Sequence, residues 1–443
     1  MIATVIIAAV ACLAMILSIL FFPKLRLGRL RLDTYWLITL LGALLLLCTG
    51  LADPAAVGGE LIANTAVNPV KILVLFISMT VLSVFLDELG FFRFLASVAL
   101  RRAQGGQVRL FLILYLLVSV LTVFTSNDVI ILSFTPFICY FAKNAGISPI
   151  PYLAAEFVAA NTWSMALVIG NPTNIYLATG AGIDFISYLK VMALPTVLAG
   201  AVAFLALFLV YRRHLKAPIS AEAEPERIAD RPLLIVGIAH LGVCTLLLAI
   251  GSYIDLAMWA VSLGAVISLF LFVTAISLYR LIRAKRAGSK RGRFAPELVA
   301  CLKRAPWQLV PFILSMFVMI VALGEVGVTE KIAALLGDRA PIPAYGAVSF
   351  LASNLVNNIP MSVLFERVIP AGSAITEAAV FATVIGSNIG AFLTPIGALA
   401  GIMFSSILTK HDLRFGYVDF LKLGVTVAIP TICAALLGLY IVL

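Results

Sequence analysis

Long apolar runs, separated by short clusters of Lys, Arg, Gly and Pro, dominate this chain. The runs lack two-residue alternation, which predicts helices over strands. About 20 apolar residues let a helix cross the ~30 Å hydrocarbon core of a bilayer with its backbone hydrogen bonds satisfied internally. On that basis crossings fall at 2–22, 34–51, 70–88, 150–180, 185–210, 232–250, 254–282, 307–325, 375–407 and 417–443. Two further apolar stretches, 107–143 and 342–370, are broken at their centres by Ser126-Asn127-Asp128 and by Asn357-Asn358-Ile359-Pro360. Each predicts a re-entrant hairpin that enters and leaves on one face. The fold class expected is an all-α polytopic membrane protein with about ten transmembrane helices plus two re-entrant hairpins.

Charge then orients the chain. With both hairpins re-entrant, all but five of the 31 Lys and Arg residues fall on one side, leaving Lys71, Lys190, Lys331, Arg339 and Arg367 opposite. The positive-inside rule makes the rich side cytoplasmic and puts both termini outside. The opening run from Met1 to Phe22 has no basic segment before it and is followed by Lys24, Arg26, Arg29 and Arg31, so it reads as a retained helix, not a cleaved signal. Composition agrees: 63% of the 443 residues are hydrophobic and 12% charged, with mean hydropathy +1.12, which leaves no room for a separate soluble domain. The net charge of +10 belongs to loops between apolar runs, so no nucleic-acid partner is expected. Cys12, Cys48, Cys139, Cys244, Cys301 and Cys433 form no C-x-x-C pair, and His214, His240 and His411 are not spaced as ligands. No metal or cofactor is expected.

Self-similarity gives the next level of organisation. Ser78-Met79 and Glu88-Leu89-Gly90 match Ser315-Met316 and Glu325-Val326-Gly327 at one offset. Asn127-Asp128-Val129 matches Asn357-Asn358-Ile359, Val168-Ile169-Gly170-Asn171 matches Val384-Ile385-Gly386-Ser387, and Tyr188-Leu189-Lys190 matches Phe420-Leu421-Lys422. The order is the same, and the expected topology puts the members of each pair on opposite sides of the membrane. An inverted repeat accounts for both. The chain then divides into an N-terminal helix and basic loop (1–33), a first repeat (34–210), a cytoplasmic linker with a connecting helix (211–253) and a second repeat (254–443). The linker turns from acidic to basic over 216–231.

Chemistry is expected where backbone is broken at membrane depth, since open peptide groups are tolerated there only around a cavity or site. The first hairpin tip holds Ser126, Asn127 and Asp128, and the second holds Asn354, Asn357 and Asn358. The crossing at 150–180 is interrupted by Gly170-Asn171-Pro172-Thr173-Asn174. Its counterpart is interrupted by Gly386-Ser387-Asn388-Ile389-Gly390 and Thr394-Pro395. Helix N-termini and amide side chains can hold a small polar or anionic solute, and open carbonyls a cation. Ser126, Asn127, Asn171, Thr173, Asn174, Asn357, Asn358, Ser387, Asn388 and Thr394 are therefore the candidate substrate-binding residues. Asn and Asp are also good helix N-caps, and capping alone is the alternative for Asn127 or Asp128. Intramembrane carboxylates are functional candidates by default, so Asp128 is the first proton carrier and Glu156 the second. For Glu156 the alternative is an ion pair with Lys143 or an interfacial Arg. Glu88 and Glu325, beside Gly at helix ends, read as structural.

Several of these segments resemble a known family. Ala305-Pro306-Trp307-Gln308, the Asn357-Asn358-Ile359-Pro360 tip, and Val384-Ile385-Gly386 running to Thr394-Pro395-Ile396-Gly397 are similar to the bacterial arsenite efflux permeases, the ArsB family of the ion transporter superfamily. Ser126-Asn127-Asp128 with Thr135-Pro136, and the Gly170–Asn174 run, resemble the superfamily more widely. The chain has no H-E-x-x-H and no nucleophile–base spacing, so it is not expected to be an enzyme. The resemblance implies an inner-membrane secondary transporter that extrudes arsenite and antimonite in exchange for protons by alternating access, alone or with a soluble arsenite-stimulated ATPase partner. Ser387-Asn388 departs from the Cys-Asp pair of some arsenite permeases. Arsenous acid is neutral at pH 7, so Asn, Ser and Thr can hold its hydroxyls without thiolates. The alternative is a sodium- or proton-coupled carrier of another anion such as a carboxylate, or a sodium/proton exchanger.

Overall fold

The structure is a computed structural model and describes the whole chain except residues 28–29, 66–67, 104–105, 217–227, 252–253, 255, 287–293 and 414. Most of the expected 216–231 linker therefore lies outside the described residues. Helix α1 (Ile2–Phe21) leads through an antiparallel pair of short strands, β1 (Lys24–Leu27) and β2 (Leu30–Asp33), into α2 (Thr34–Cys48). The expected basic loop 23–33 is thus a β-hairpin. The short α3 (Pro54–Ile62) precedes α4 (Pro69–Glu88), α5 (Phe91–Arg102), α6 (Gln107–Phe124) and α7 (Asn127–Ala145). Then come α8 (Ile150–Trp163), a single 3-10 turn at Val168–Gly170, α9 (Pro172–Gly180) and α10 (Phe185–Tyr211). Helices α11 (Arg231–Gly251) and α12 (Met258–Arg286), packed on each other, lead to α13 (Pro296–Arg304), α14 (Leu309–Glu325) and α15 (Val328–Leu336). The chain closes with α16 (Pro341–Val356), α17 (Asn358–Val368), α18 (Thr376–Gly390), α19 (Leu399–Lys410) and α20 (Tyr417–Leu423), which passes through a π turn at Gly424–Ala428 into α21 (Ile429–Val442).

Eight stretches among the described residues are helical, long and apolar enough to span a bilayer. Seven coincide with expected crossings. The other three expected crossings fall short for physical reasons. At 1.5 Å rise per residue the 15-residue α2 reaches only about 22 Å, while 150–180 and 375–407 are each two helices separated by irregular backbone. The eighth stretch is α6, Gln107–Phe124, which the sequence placed in a hairpin arm.

The helix starts follow local chemistry. The Asn68 side chain accepts from the amides of Val70 and Lys71 at the start of α4, with Pro69 at the first helical position where a missing N–H costs nothing. Asp53 and Asp184 cap α3 and α10 in the same way. The order of elements recurs along the chain. Helix α4, a left-handed Gly90, α5, the pair α6/α7 and the pair α8/α9 are followed later by α14, a left-handed Gly327, α15, the pair α16/α17 and the pair α18/α19.

Packing sorts the helices into two groups. One holds α1, α2, α4, α11, α12, α13 and α14, whose most extensive contacts are α2 with α14, α1 with α2, and α11 with α12, followed by α4 with α12. The other holds α6–α10 and α16–α21, dominated by α16 with α18 and α10 with α21. The groups meet where α14 lies on α17, α1 on α16, and α4 on α7 and α9. Helices α4, α8, α9 and α18 are enclosed by others, whereas α1, α11 and α12 leave most of their apolar surface outward, as lipid-facing helices do.

Candidate functional site

The break between α8 and α9 begins earlier than the sequence implied. Helix α8 ends at Trp163, and the chain from Ser164 to Asn171 is irregular apart from the 3-10 turn at Val168–Gly170, so Gly170 lies inside the break and Pro172 starts the next helix. Asn171 is the N-cap of α9, its Oδ1 accepting from the Thr173 amide at 3.3 Å. The counterpart corrects an expectation more sharply: Gly386-Ser387-Asn388-Ile389-Gly390 does not interrupt its crossing. Helix α18 runs unbroken through Gly390, and the break spans 391–398. The reason is packing. A Cβ on Gly386 would stand 2.0 Å from the Ser349 Oγ and 2.4 Å from the Gly346 carbonyl oxygen. One on Gly390 would stand 2.3 Å from the Ser353 Oγ. These glycines, spaced by four on one helix face, let α18 lie directly on the small residues of α16.

This arrangement brings five of the predicted residues into one buried network. Asn388 is at its centre. Its Nδ2 donates to the Asn174 Oδ1 at 2.7 Å and to the Val384 carbonyl at 2.8 Å, and its Oδ1 accepts from the Ser164 Oγ at 2.9 Å and the Asn171 Nδ2 at 3.0 Å. Ser387 donates to the Thr173 Oγ1 at 3.0 Å. The Asn174 Nδ2 donates to the Ser164 and Leu167 carbonyls, tying down the irregular loop. All five, with Ser164, are buried.

The first tip joins this network through a residue that the sequence reading missed. The Asn127 Nδ2 donates to the Asn161 Oδ1 at 3.1 Å, and the Asn161 carbonyl accepts from the Ser164 Oγ at 2.8 Å. Asn161 and Ser164 lie in Ala-Ala-Asn-Thr-Trp-Ser, with no Gly or Pro to mark a break. A polar pair within an enclosed Ala-rich run was the signal available. Capping of α7 falls to Ser126, which accepts from the Val129 amide at 3.4 Å. The Asp128 carboxylate, in the first helical turn, has no ion pair among the described residues. Among the described residues Glu156 is not paired with Lys143 or an Arg. It is enclosed, and the Thr135 hydroxyl lies 2.9 Å from one of its carboxyl oxygens and 3.1 Å from the other. Glu88 and Glu325 have structural contacts: Glu88 pairs with Arg304, and Glu325 accepts from the Asp53 amide at 3.4 Å.

The second tip forms its own cluster against the 391–398 break. Asn357 has φ 72° and ψ 151°, a corner that L side chains rarely adopt, and its Nδ2 donates to the Ile396 carbonyl at 3.0 Å. The Asn358 amide donates to the Gly397 carbonyl at 3.0 Å. Thr394 donates to the Asn354 Oδ1 at 2.7 Å, and Asn354 donates to the Gly390 carbonyl at 3.0 Å, so this cluster joins the first along one turn of α18. The Asn358 Oδ1 is buried with no hydrogen-bond partner among the described residues. Buried amide oxygens are rarely left unbonded, so this atom has capacity for a donor from outside the chain. Neither cluster contains Lys, Arg or His, and no grouping of His, Cys, Asp and Glu suited to a metal occurs among the described residues. A cavity of about 350 Å³ lies elsewhere, between Lys71 and Leu75 of α4, Ile175 and Thr179 of α9, and Met258 and Trp259 of α12. Its walls are mainly apolar. At its rim the Ser187 hydroxyl and the Ser187 and Ile186 amides hold the Asp184 carboxyl below the usual range.

A family model described as citrate transporter matches residues 33–380. The chain belongs to that family. Among relatives of this citrate transporter family member, the arsenical pump membrane protein of Escherichia coli K12 is 28% identical over 428 residues, covering 91% of this chain and 92% of that one. The putative arsenical pump membrane protein of Bacillus subtilis is 25% identical, covering 90% and 92%. The 46 kDa membrane protein of Mycobacterium leprae is 25% identical, covering 84% and 85%. The likeness expected from the 305–308, 357–360 and 384–397 segments is thus matched by relatives named arsenical pump membrane protein along nearly the whole chain. The Alcanivorax borkumensis YdaH transporter is a similar solved structure, aligned over 99% of this chain and 97% of that one at TM-score 0.45 and 14% identity. By its family model, the relatives along its length and its long apolar helices, the citrate transporter family member is a multi-pass membrane transporter.

Proposed function

We propose that the protein is a secondary transporter of the inner membrane that extrudes arsenite and antimonite in exchange for protons, by alternating access to the two Asn-rich clusters. The observation that carries this reading is their composition: amides, hydroxyls and carbonyls with no cationic side chain, next in the chain to the Asp128 carboxylate, which has no ion pair among the described residues. A neutral trihydroxy solute matches such donors and acceptors. It can give its O–H to the unbonded Asn358 Oδ1 and needs no counter-charge. Of the two carboxyls, Asp128 is the better proton carrier. Glu156 has its oxygens engaged by Thr135 and is closed in, while Asp128 is only partly buried at the tip and unpaired. A second reading has one observation in its favour, the family model's description as citrate transporter. A polyvalent carboxylate beside Asp128 needs bound sodium to offset repulsion. Uptake into everted vesicles, with arsenite, citrate and sodium each tested under imposed pH and sodium gradients, separates the two. Arsenite accumulation driven by the pH gradient supports the first; sodium-dependent citrate uptake without arsenite uptake replaces it with the second.

A further inference from the structure

Four ion pairs occur among the described residues. Three tie members of the first packing group to one another: Arg280 with Asp230 between the ends of α12 and α11, and Arg304 of α13 with Asp87 at 2.6 Å and Glu88 at 2.5 Å at the end of α4. The fourth is different. Arg367 belongs to α17 in the second group, and its partner Glu60 lies on α3. That end of α3 is fastened to the first group, because the Asn68 side chain at the start of α4 donates to the Leu61 and Ala63 carbonyls at 2.7 and 2.9 Å. The other end is fastened too, by the Asp53 amide on Glu325 of α14. Arg367 also lies over the ring of Phe317 on α14, 5.4 Å from its centroid. One arginine therefore reaches from the second group onto the first at two points.

The same seam has slack beside it. The cavity of about 350 Å³ opens between α4 and α12 of the first group and α9 of the second, next to the end of α4 that holds α3. A void there lets α9 shift without displacing packed side chains. The pair itself can open, since the Arg367 and Glu60 side chains keep 25% and 41% of their surface exposed and water can replace each partner.

We infer that Arg367 and Glu60 form a latch that holds the two helix groups in the arrangement seen here and must open for α17 to move. The inference rests on the alternating-access reading but not on the identity of the solute. Its test therefore includes a readout that needs none: the labelling rate of Thr179→Cys, on the cavity wall, by a membrane-impermeant maleimide in protein whose exposed Cys48 and Cys433 are replaced by Ala. Arg367→Gln and Glu60→Gln each loosen the latch and should change that rate by roughly two- to fivefold, the range of a partly exposed ion pair. The exchanged pair Glu60→Arg with Arg367→Glu should restore it. In protein that keeps Thr179 and lacks Cys48 and Cys433, joining Glu60→Cys to Arg367→Cys with a short bismaleimide should arrest transport, while the uncross-linked double variant still transports. Two results overturn the latch: full-speed transport by the cross-linked protein, or equal labelling rates in the parent and both Gln variants.

Discussion

Asn358 and Asn388 sit in clusters of the same composition, yet they differ in one measurable respect. Asn388 satisfies four partners inside the chain, so Asn388→Ala leaves buried donors and acceptors unpaired at about 1–3 kcal/mol. It should lower the melting temperature by several degrees as well as abolish transport. The Asn358 Oδ1 satisfies none, so Asn358→Ala should leave the melting temperature unchanged while weakening solute uptake several-fold. Thermal unfolding in detergent, measured beside vesicle uptake, checks both; equal destabilisation would make Asn358 another packing residue. Asp128→Asn should preserve solute exchange down a gradient and remove accumulation driven by pH, whereas Glu156→Gln should spare coupling. The reverse result moves the carrier to Glu156. At this scale the sequence was informative because Asn, Ser and Asp stand out in apolar runs. Asn161 and Ser164 did not stand out, since nothing in an Ala-rich run announces where a helix unwinds. Arg304 was equally hidden, because its acidic partners are more than two hundred residues away in the chain.

Between elements, the decisive contact is α16 on α18. Glycine was read as a helix breaker at 386 and 390, but its effect there depends on the neighbouring helix, which a linear pattern does not contain. With Ser349, Ser353 and Phe350 backbone inside ordinary contact distance of a Cβ, Gly386→Ala or Gly390→Ala must push α16 away and with it the second tip. The overpacking cost is about 1–3 kcal/mol. Because Asn354 bridges to the Gly390 carbonyl and Thr394, the expected outcome is loss of transport with protein still inserted, readable as reduced uptake at normal membrane abundance. Uptake equal to the parent in both variants would mean that α16 can move aside freely. The long helices, by contrast, were legible to within a few residues, since lipid demands uninterrupted apolar length and the caps at Asn68 and Asp184 are local.

Across the whole molecule, the placement of the two tips depends on whether α6 turns back or crosses. Its 18 residues measure about 27 Å, enough for either path. The distribution of Lys and Arg favours turning back, so Arg109→Cys and Lys143→Cys should be labelled from the same, cytoplasmic, side. Labelling from opposite sides makes α6 a crossing and reverses the orientation of every later loop.

The lack of cationic side chains in both clusters has an electrical consequence. If the cargo is neutral and one carboxylate alternates between protonated and ionised forms, each turnover carries one uncompensated positive charge inward. The membrane voltage then contributes directly, about 2.3 kcal/mol per 100 mV, which at 1.4 kcal/mol per tenfold corresponds to a gradient of roughly fifty-fold without any pH difference. Proteoliposomes on a capacitive electrode should give a transient current on addition of arsenite, and Asp128→Asn should silence it. A wild-type protein that pumps without current would require a second charge to travel with the solute, and would point to an anionic cargo.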